Sequence, residues 1–316
     1  MAILESISKI EPVYDNFLHF PDNEKDCIEV WWGDPSVWSW SNKSAYKVGY
    51  ALSESESLKR DGREKALENL KRCDLLLCPS EYSSRAYKES PIDVPIRIVP
   101  LGYNPDVYTW YARDWSRELK VLLAGSAQMR KGTDLGIEGF LRAFGKRKRF
   151  SLTVWSSVKT PMREQLKLEY GKAENVTFDD TEYENPMSVY SRHHILLHPH
   201  LSGGFELIPI EAMASGMCAM VSRVSSPMEY FNKDIGYWIE MSENYVPVRA
   251  CLSDTAGFWR VPDVDNISET LKYIAKNMDT AKAKGEYASR YIQKYTWEHT
   301  AKKFIQVIKE ESDVEF

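Results

Sequence analysis

The sequence predicts an α/β protein with parallel sheets, and two observations lead to this prediction. Short apolar runs, most of them uninterrupted by polar residues, alternate with amphipathic segments along most of the chain. Continuous apolar strands separated by helices are typical of parallel sheets that are covered by helices on both faces. The chain has 316 residues, of which 43% are hydrophobic, so it can bury a large core and form about two domains.

The individual elements follow from these two patterns. Apolar runs predict nine strands, at residues 27–32, 46–52, 74–79, 96–102, 119–125, 150–156, 175–180, 194–199 and 218–223. Amphipathic periodicity predicts helices between them, at about 61–72, 81–90, 132–145, 161–171, 185–192 and 208–216. A last helical pattern extends over about 280–311, where Tyr295 and Trp297 interrupt the polar face.

The segment 102–118 contains turn residues and charges without a strong period, and it marks the predicted domain junction. This gives two Rossmann-like domains, at residues 1–115 and 116–280, followed by a C-terminal helical segment at 281–316. Ligands of such sheets bind beyond the carboxyl ends of the strands. The loops after the second, fifth and eighth predicted strands are therefore the places to look for a site.

Charge and targeting signals argue against several classes of protein. The net charge of −5 argues against a nucleic-acid partner, because no positive field would attract one. No apolar run approaches the length of about 20 residues that a membrane span requires, and the first residues are acidic where a signal peptide is basic. We therefore expect a cytoplasmic protein. The basic cluster at 145–149 is expected to be a solvated helix end, with peripheral contact to an anionic membrane as the alternative.

The five cysteines are scattered and lack C-x-x-C spacing, so we expect reduced thiols and neither a disulfide framework nor a zinc site. The segment 31–40 contains four of the ten tryptophans in a polar, turn-rich context. Its aromatic faces are candidates for stacking on sugar rings.

The loop after the fifth predicted strand carries a candidate anion site. Gly125 and Ser126 follow the strand, and Arg130 and Lys131 stand just before a predicted helix. Mobile positive charge beside free helix amides suits a diphosphate. The spacing differs from that of a P-loop, because Lys131 precedes its glycine. The alternative is a solvated surface loop.

The loop after the eighth predicted strand carries a second candidate. Gly203 and Gly204 precede two carboxylates, Glu206 and Glu211, at the start of a helical pattern. Glycine lets amides approach a phosphate, and a carboxylate accepts hydrogen bonds from a diol. The alternative is a tight turn followed by an amphipathic helix whose first turn favours acids. If both loops act together, they form one site for a nucleotide sugar.

The segment 200–216 resembles the second domain of the retaining, GT-B-type glycosyltransferases of family 4, also called glycosyl transferases group 1. That family has a Glu-x7-Glu motif within a pattern like E-G-F-G-L-P-x-x-E-A-M-A-x-G. The positions that correspond by identity or type, with the proline displaced by one, are Gly204, Phe205, Leu207, Pro209, Glu211, Ala212, Met213, Ala214 and Gly216. Further resemblances follow in the same order between residues 46 and 310, in "KRCDLLLCPSEYSSRAY", "IRIVPLGYNPDVY", "LLAGSAQMRKGTDLGIEGF" and "YTWEHTAKKF".

This resemblance implies a GT-B architecture, with two Rossmann-like domains facing a cleft and a shortened first domain. It also implies that the C-terminal helical segment at 281–316 crosses back to the first domain. It implies transfer of a sugar from a nucleotide-diphosphate sugar to a hydroxyl of a glycan, lipid or protein, with retention of anomeric configuration and without a metal or other cofactor. Glu211 would bind the ribose and Lys131 the diphosphate. The amides of Gly204, Phe205, Glu206 and Leu207 would contact the transferred sugar and its phosphate.

Two positions depart from the family pattern. The first motif acid falls on Gly203, and the diphosphate-binding arginine falls on Ser126. Glu206 and Arg130 are the candidate replacements, which makes Lys131, Arg130 and Glu206 the candidate catalytic groups of the second domain. Glu54, after the second predicted strand, is the acceptor-side candidate, with an exposed loop acid as the alternative.

Four histidines adjoin the second of these loops. His193 and His194 are expected to cap or pack at the start of the eighth strand. His198 and His200 flank Pro199 at its end and are candidates for ligand contact. Two other functions stay open at this point: a non-catalytic sugar or nucleotide-sugar binding protein on the same scaffold, and a glycosyltransferase that acts on a modified DNA base.

Overall fold

The structure is a computed structural model that describes residues 28–41, 46–55, 64–248 and 257–312. The strands are β1 (Ile28–Trp32), β2 (Tyr46–Tyr50), β3 (Leu75–Cys78), β4 (Ile96–Ile98), β5 (Leu119–Ala124), β6 (Phe150–Trp155), β7 (Val176–Asp179), β8 (Ile195–His198), β9 (Cys218–Ser222), β10 (Gly236–Ile239), β11 (Met241–Pro247) and β12 (Phe258–Pro262). The helices are α1 (Glu64–Lys71), α2 (Glu81–Lys88), α3 (Thr133–Phe144), α4 (Pro161–Tyr170), α5 (Met187–Tyr190), α6 (Leu207–Ala214), α7 (Val264–Lys276), α8 (Met278–Tyr291) and α9 (Trp297–Glu311).

The chain divides into two compact units. The first takes in residues 1–102, 247–258 and 295–316, and the second takes in residues 103–246 and 259–294. The domain limits expected from the sequence, with a junction at 115/116 and a separate segment from 281, stay a prediction.

The first unit contains a four-stranded sheet in the order β1-β2-β3-β4, and all three strand pairs are parallel. Helix α9 supplies much of the core on one face, where Phe304 and Ile308 pack with Val48 and Leu75. A hydrogen bond from the Thr300 hydroxyl to the Pro100 carbonyl fixes the start of this helix (2.9 Å). The predicted α/β class with parallel sheets is confirmed in this unit.

Two tryptophans of segment 31–40, Trp38 and Trp40, are buried, which corrects for these two the expectation that they stack on sugars. Trp38 and Trp40 are buried against each other in the core that also contains Leu70. Trp32 stacks on Tyr50, with their ring centroids 4.3 Å apart. Between Trp32 and Trp38 the chain forms a short 3₁₀ turn at Pro35–Val37, capped by the side chain of Asp34. After this turn, the indole rings of Trp38 and Trp40 pack into the core of the first unit.

The second unit contains a six-stranded sheet in the order β10-β9-β8-β5-β6-β7, and all five strand pairs are parallel. Strands β5 and β8 are neighbours, although β6 and β7 intervene in sequence. The connections from β5 and β8 therefore leave in opposite directions, which opens a crevice at their carboxyl ends. The packed core behind it includes Val121, Phe140, Ile195, Leu197 and Met220.

Two predicted helices differ from the structure. Helix α5 covers only Met187–Tyr190 instead of 185–192, and the chain continues in tight turns. The Arg113 guanidinium donates hydrogen bonds to the carbonyls of Tyr190 and His193 after the helix ends. The pattern at 280–311 is two helices, α8 and α9. A 3₁₀ turn follows α8, and the Thr296 side chain then accepts a hydrogen bond from the amide of His299 and starts a new helix.

All nine predicted strands are confirmed, with shorter bounds, whereas β10, β11, β12 and α7 were not predicted. The basic cluster behaves as a helix end: Arg147 donates hydrogen bonds to the carbonyls of Ala143 and Phe144 at the end of α3. Cys73, Cys78 and Cys218 are buried thiols. Cys27, with which the first predicted strand begins, and Cys251 lie outside the described residues.

Candidate functional site

The two loops singled out in the sequence lie at the topological switch point of the second unit. The loop after β5 runs through a 3₁₀ turn at Met129–Lys131 into α3, and the loop after β8 runs through the two glycines into α6. The Leu201 amide donates a hydrogen bond to the Arg130 carbonyl at 2.8 Å. The loops are therefore in direct contact at the edge where an α/β sheet binds its ligands.

Three of the predicted residues form one charged cluster. Lys131 Nζ lies 2.5 Å from Glu206 Oε2, and Arg130 Nη1 lies 2.9 Å from Glu206 Oε1. Arg130 Nη1 also donates to the Ser202 carbonyl at 2.8 Å. The Glu206 side chain is only 4% exposed, and those of Arg130 and Lys131 are 10% and 14% exposed. Two cations and one carboxylate give this cluster a net charge of +1.

Glu206 has an unusual backbone. Its φ of +63° lies in the left-handed region, where residues with a Cβ are rarely found. The residue is the N-cap of α6, yet its side chain makes no capping hydrogen bond and turns instead toward the cations. The Tyr230 hydroxyl donates to the Glu206 carbonyl at 2.8 Å and helps to hold this conformation.

His198 completes the surroundings of the Glu206 carboxylate, with Nε2 2.7 Å from Oε2. Burial acts to raise the pKa of Glu206, but the charge of Lys131 and the hydrogen bond from His198 outweigh it and hold that pKa well below the usual range. Burial lowers the pKa of His198, whereas the Glu206 carboxylate beside it acts in the opposite direction. The carboxylate is therefore charged in the folded protein.

Gly203 is enclosed by serine side chains and by Glu206. The Gly203 amide donates to Ser225 Oγ at 3.1 Å, and Ser226 Oγ donates to the Gly203 carbonyl at 2.8 Å. A Cβ at position 203 would lie 2.5 Å from Glu206 Cδ and closer still to Oε1. The carboxylate of Glu206 thus fills the space into which a side chain at 203 would extend.

Gly125 and Ser126 begin the other loop. Gly125 has a φ of +109°, donates its amide to the Trp155 carbonyl at 3.0 Å, and would place a Cβ 2.9 Å from Cδ1 of Ile208 in α6. The absence of a side chain at 125 therefore lets the start of α6 approach the end of β5. Ser126 is half-buried beside it.

Glu211 projects from the second turn of α6 and is half-buried. Its Oε2 accepts a hydrogen bond from the Tyr190 hydroxyl at 3.0 Å, and it also accepts one from Tyr108. Burial raises the pKa of Glu211, and the two tyrosine hydrogen bonds act in the opposite direction. Tyr108 and Tyr190 meet edge to face, with their ring centroids 5.6 Å apart.

The remaining predicted residues divide between the two units. Gly204 and Phe205 are buried in the loop, where the Phe205 ring lies 5.6 Å from that of Tyr230, and Leu207 is the first residue of α6. Glu54 lies in the first unit, in the segment after β2, and is half-buried. Its assignment to an acceptor stays a prediction.

The sequence predicts His198 and His200 as candidates for ligand contact at this loop, but it does not indicate that Ser225 or Tyr230 belongs to this network. His200 Nε2 lies 3.2 Å from Ser225 Oγ, and burial lowers the pKa of His200 to about 3. The pair of histidines around Pro199 was a visible signal in the sequence. Nothing in the local pattern of Ser225 or Tyr230 indicates their contacts, because these arise from a loop more than twenty residues away in the chain.

Within the part of the chain that the structure describes, no group of three His, Cys, Asp or Glu side chains is placed to hold a metal ion. The same described ranges contain no helix that is long and apolar enough to cross a membrane.

A comparison with protein families matches the second unit, at residues 116–246, to the model described as glycosyl transferases group 1. The matched segment is less than half of the chain. The Lys131–Glu206 cluster, the glycine turn and Glu211 all lie inside this segment. Assignment to family 4 and a retaining mechanism are finer statements than the match itself makes.

One curated protein is similar to this chain in sequence, and several solved structures are similar to it in fold. A putative glycosyltransferase 45 of Sulfolobus islandicus filamentous virus (isolate Iceland/Hveragerdi) is 23% identical over 244 residues, or 74% of this chain, and the match spans 66% of that relative's length. Sucrose-phosphate synthase from Thermosynechococcus elongatus superposes with a TM-score of 0.66 at 19% identity, covering 85% of this chain and 68% of the synthase.

Two further solved structures are similar. TarM superposes with a TM-score of 0.69 at 17% identity, over 90% of this chain and 55% of TarM. Anabaena Alr3699/HepE, solved in complex with UDP and glucose, superposes with a TM-score of 0.65 at 12% identity, over 84% of this chain and 72% of HepE. The α/β fold with parallel sheets is thus that of GT-B glycosyltransferases.

Proposed function

We propose that this chain is a glycosyltransferase of family 4 that transfers a sugar from a nucleotide-diphosphate sugar to a hydroxyl acceptor, with retention at the anomeric carbon. The observation that supports this most is the contact of Lys131 with Glu206 at 2.5 Å. It joins the two loops that a donor would have to touch, at the switch point of the group 1 domain.

In this proposal Lys131 binds the diphosphate. One of its three N–H donors is directed to Glu206, and the ammonium group has two more. Helices α3 and α6 both start beside it without a side-chain cap. Their amides and Lys131 would stabilise the negative charge that develops on the leaving diphosphate, without a metal ion.

Glu211 would bind the ribose hydroxyls, and the loop Gly203–Leu207 would contact the transferred sugar and its phosphate. In the reaction, the bond between the anomeric carbon and the diphosphate oxygen breaks, and that oxygen keeps the electron pair. A bond forms to the acceptor oxygen on the same face, and the acceptor proton passes to the departing phosphate. Sugar acceptors are proposed by analogy with the neighbours, and Glu54 is the proposed acceptor-side group.

The test is nucleotide release from UDP-, GDP-, ADP- and TDP-sugars, with and without a panel of glycan, lipid and peptide acceptors. We expect acceptor-dependent turnover with at least one donor, undiminished by EDTA. Lys131→Ala should lower kcat about a hundredfold, the loss typical for removing one group that stabilises transition-state charge.

Lys172→Ala is the matched control, because Lys172 is exposed and lies far from the candidate site in the sheet. It precedes the amino end of β7, whereas the site lies at the carboxyl ends of β5 and β8. Unchanged kinetics in Lys131→Ala would contradict the diphosphate role. Absence of turnover with every donor would contradict the enzyme.

A specific observation supports a second candidate, a non-catalytic nucleotide-sugar binding protein. The Glu206 carboxylate is enclosed by Arg130, Lys131 and His198, and position 203 has no acid of its own. Calorimetry separates the candidates: a donor that binds but releases no nucleotide with any acceptor would favour the binding protein.

A further inference from the structure

The exchange of small and acidic residues between positions 203 and 206 is the feature that the proposed function leaves unexplained. Position 206 has a left-handed backbone, which a glycine would adopt without strain, but it holds a glutamate. Position 203 has no positive φ, but it holds a glycine. Each residue stands where the backbone alone would favour the other.

The side chains explain this arrangement. A Cβ at 203 would lie 2.5 Å from Glu206 Cδ, so a carboxylate attached at either position would occupy nearly the same space. From 206, that carboxylate reaches Arg130 with Oε1 and Lys131 with Oε2. The strained backbone is therefore the condition for placing this carboxylate between the two cations.

The two cations depend on this carboxylate for their position. Lys131 is a flexible side chain whose Nζ has Glu206 as its ion-pair partner in the described structure. Arg130 is tied by one nitrogen to both Glu206 and the Ser202 carbonyl, which links the loop after β5 to the loop after β8. A buried cation without a counterion is unfavourable, so the loops would separate or the side chains would turn outward if the carboxylate were lost.

We propose that Glu206 is the positioning residue of the donor site: its carboxylate, placed beside Gly203 from a left-handed backbone, holds Arg130 and Lys131 where a diphosphate can meet them. Glu206 thus acts through the cations. The binding part of this inference rests on the proposed function, whereas its structural part can be measured without any substrate.

The test moves the carboxylate from one position to the other. Glu206→Gly removes it and also relieves the backbone. Gly203→Asp combined with Glu206→Gly supplies a carboxylate from position 203 instead. Aspartate is chosen because a Cβ at 203 lies only 2.5 Å from Glu206 Cδ, so the short aspartate side chain brings its carboxyl group closest to the present position of the Glu206 carboxylate. Gly203→Ala combined with Glu206→Gly is the matched control, since it makes the same backbone changes without an acid.

Two readouts apply to all three variants. The first is the thermal midpoint of the full chain at neutral pH. The second is the affinity for inorganic pyrophosphate, measured by calorimetry at constant salt. We expect Glu206→Gly and the alanine control to lower the midpoint and to weaken pyrophosphate binding at least tenfold. The aspartate double variant should recover most of both.

Two results would overturn the proposal: recovery by the alanine control equal to that of the aspartate variant, or undiminished pyrophosphate affinity in Glu206→Gly. If Glu206→Gly does not fold, folding of the aspartate variant alone supports the proposal, and failure of both double variants contradicts it. If the wild type does not bind pyrophosphate or turn over any donor, the proposed function fails. In that case the thermal midpoints of the two double variants still show whether a carboxylate attached at position 203 stabilises the loops as Glu206 does.

Discussion

At the scale of single residues, the half-buried Glu211 carboxylate is oriented by hydrogen bonds and still has acceptor positions that the proposed ribose could use. Hydrogen bonds from Tyr190 and Tyr108 orient it, and burial raises its pKa. A carboxylate has about four acceptor positions, so two tyrosine donors leave about two for a ligand. That number matches the two hydroxyls of a ribose.

Glu211→Gln should therefore weaken the binding of a nucleotide more than that of inorganic pyrophosphate, which has no ribose. We expect about a tenfold loss for the nucleotide, the cost of replacing charged hydrogen bonds by neutral ones. Calorimetry with UDP and with pyrophosphate on the same preparation measures the difference. An equal loss for both ligands would show that Glu211 serves the loop as a whole.

The sequence predicts for a physical reason that the loops of Lys131 and Glu206 belong to one site. Both follow strands of one parallel sheet, and the carboxyl ends of such strands share an edge. The left-handed conformation of Glu206 is not predictable in the same way, because it depends on Tyr230 and on the cations. The burial of Trp38 is equally non-local: its ring packs on Gly49, and a Cβ there would lie 2.5 Å from the indole.

At the scale of elements, the strands that the sequence identifies most clearly are those that are apolar throughout. Strands such as β3 and β8 are buried at every position, and their apolar runs identify them. Strand β11 is polar and exposed over most of its length, so no run marks it. The sequence of helix α7 does contain a helical pattern, although α7 is not among the predicted helices. Asp263 caps the helix, and Ile267, Leu271 and Ile274 recur at helical spacing on its buried face.

The turn into α3 is the element on which the cation loop depends. Gly132 has a φ of +59°, and a Cβ there would lie far inside contact distance of the Pro199 carbonyl oxygen. A side chain at 132 would therefore push the loop after β5 away from the loop after β8.

Gly132→Ala should lower the free energy of unfolding by about 2–4 kcal/mol, combining left-handed strain with a backbone collision. Gly145→Ala is the control, since Gly145 also has a positive φ but open space around it, and should cost about 1–2 kcal/mol. Urea unfolding measures both. Equal losses would mean that the approach to Pro199 is unimportant.

At the scale of the whole molecule, each unit has its own core, and the chain passes between the units repeatedly. Residues of the first unit come from three separate stretches of sequence. The core of its sheet depends on α9, which follows the entire second unit in the chain. Stability of the two cores can therefore be perturbed separately.

Phe304→Ala should lower the unfolding free energy by about 3–5 kcal/mol, the usual cost of such a cavity, because Phe304 is only 4% exposed. Hydrogen exchange should then show lost protection in β1–β4 with little change in β5–β9. Phe140→Ala, fully buried in the second unit, should give the reverse pattern. Equal loss in both sheets would show that the units unfold as one.

The late position of α9 also bears on how the protein is made. Roughly 200 residues separate β4 from α9, and at about 5–20 residues per second a ribosome needs roughly 10–40 s to synthesise them. During that interval the nascent β1–β4 sheet displays the apolar face that α9 will cover, while the following Rossmann-like fold is already emerging. Chaperone binding in the cell should therefore concentrate on the first hundred residues and end when α9 is released from the exit tunnel.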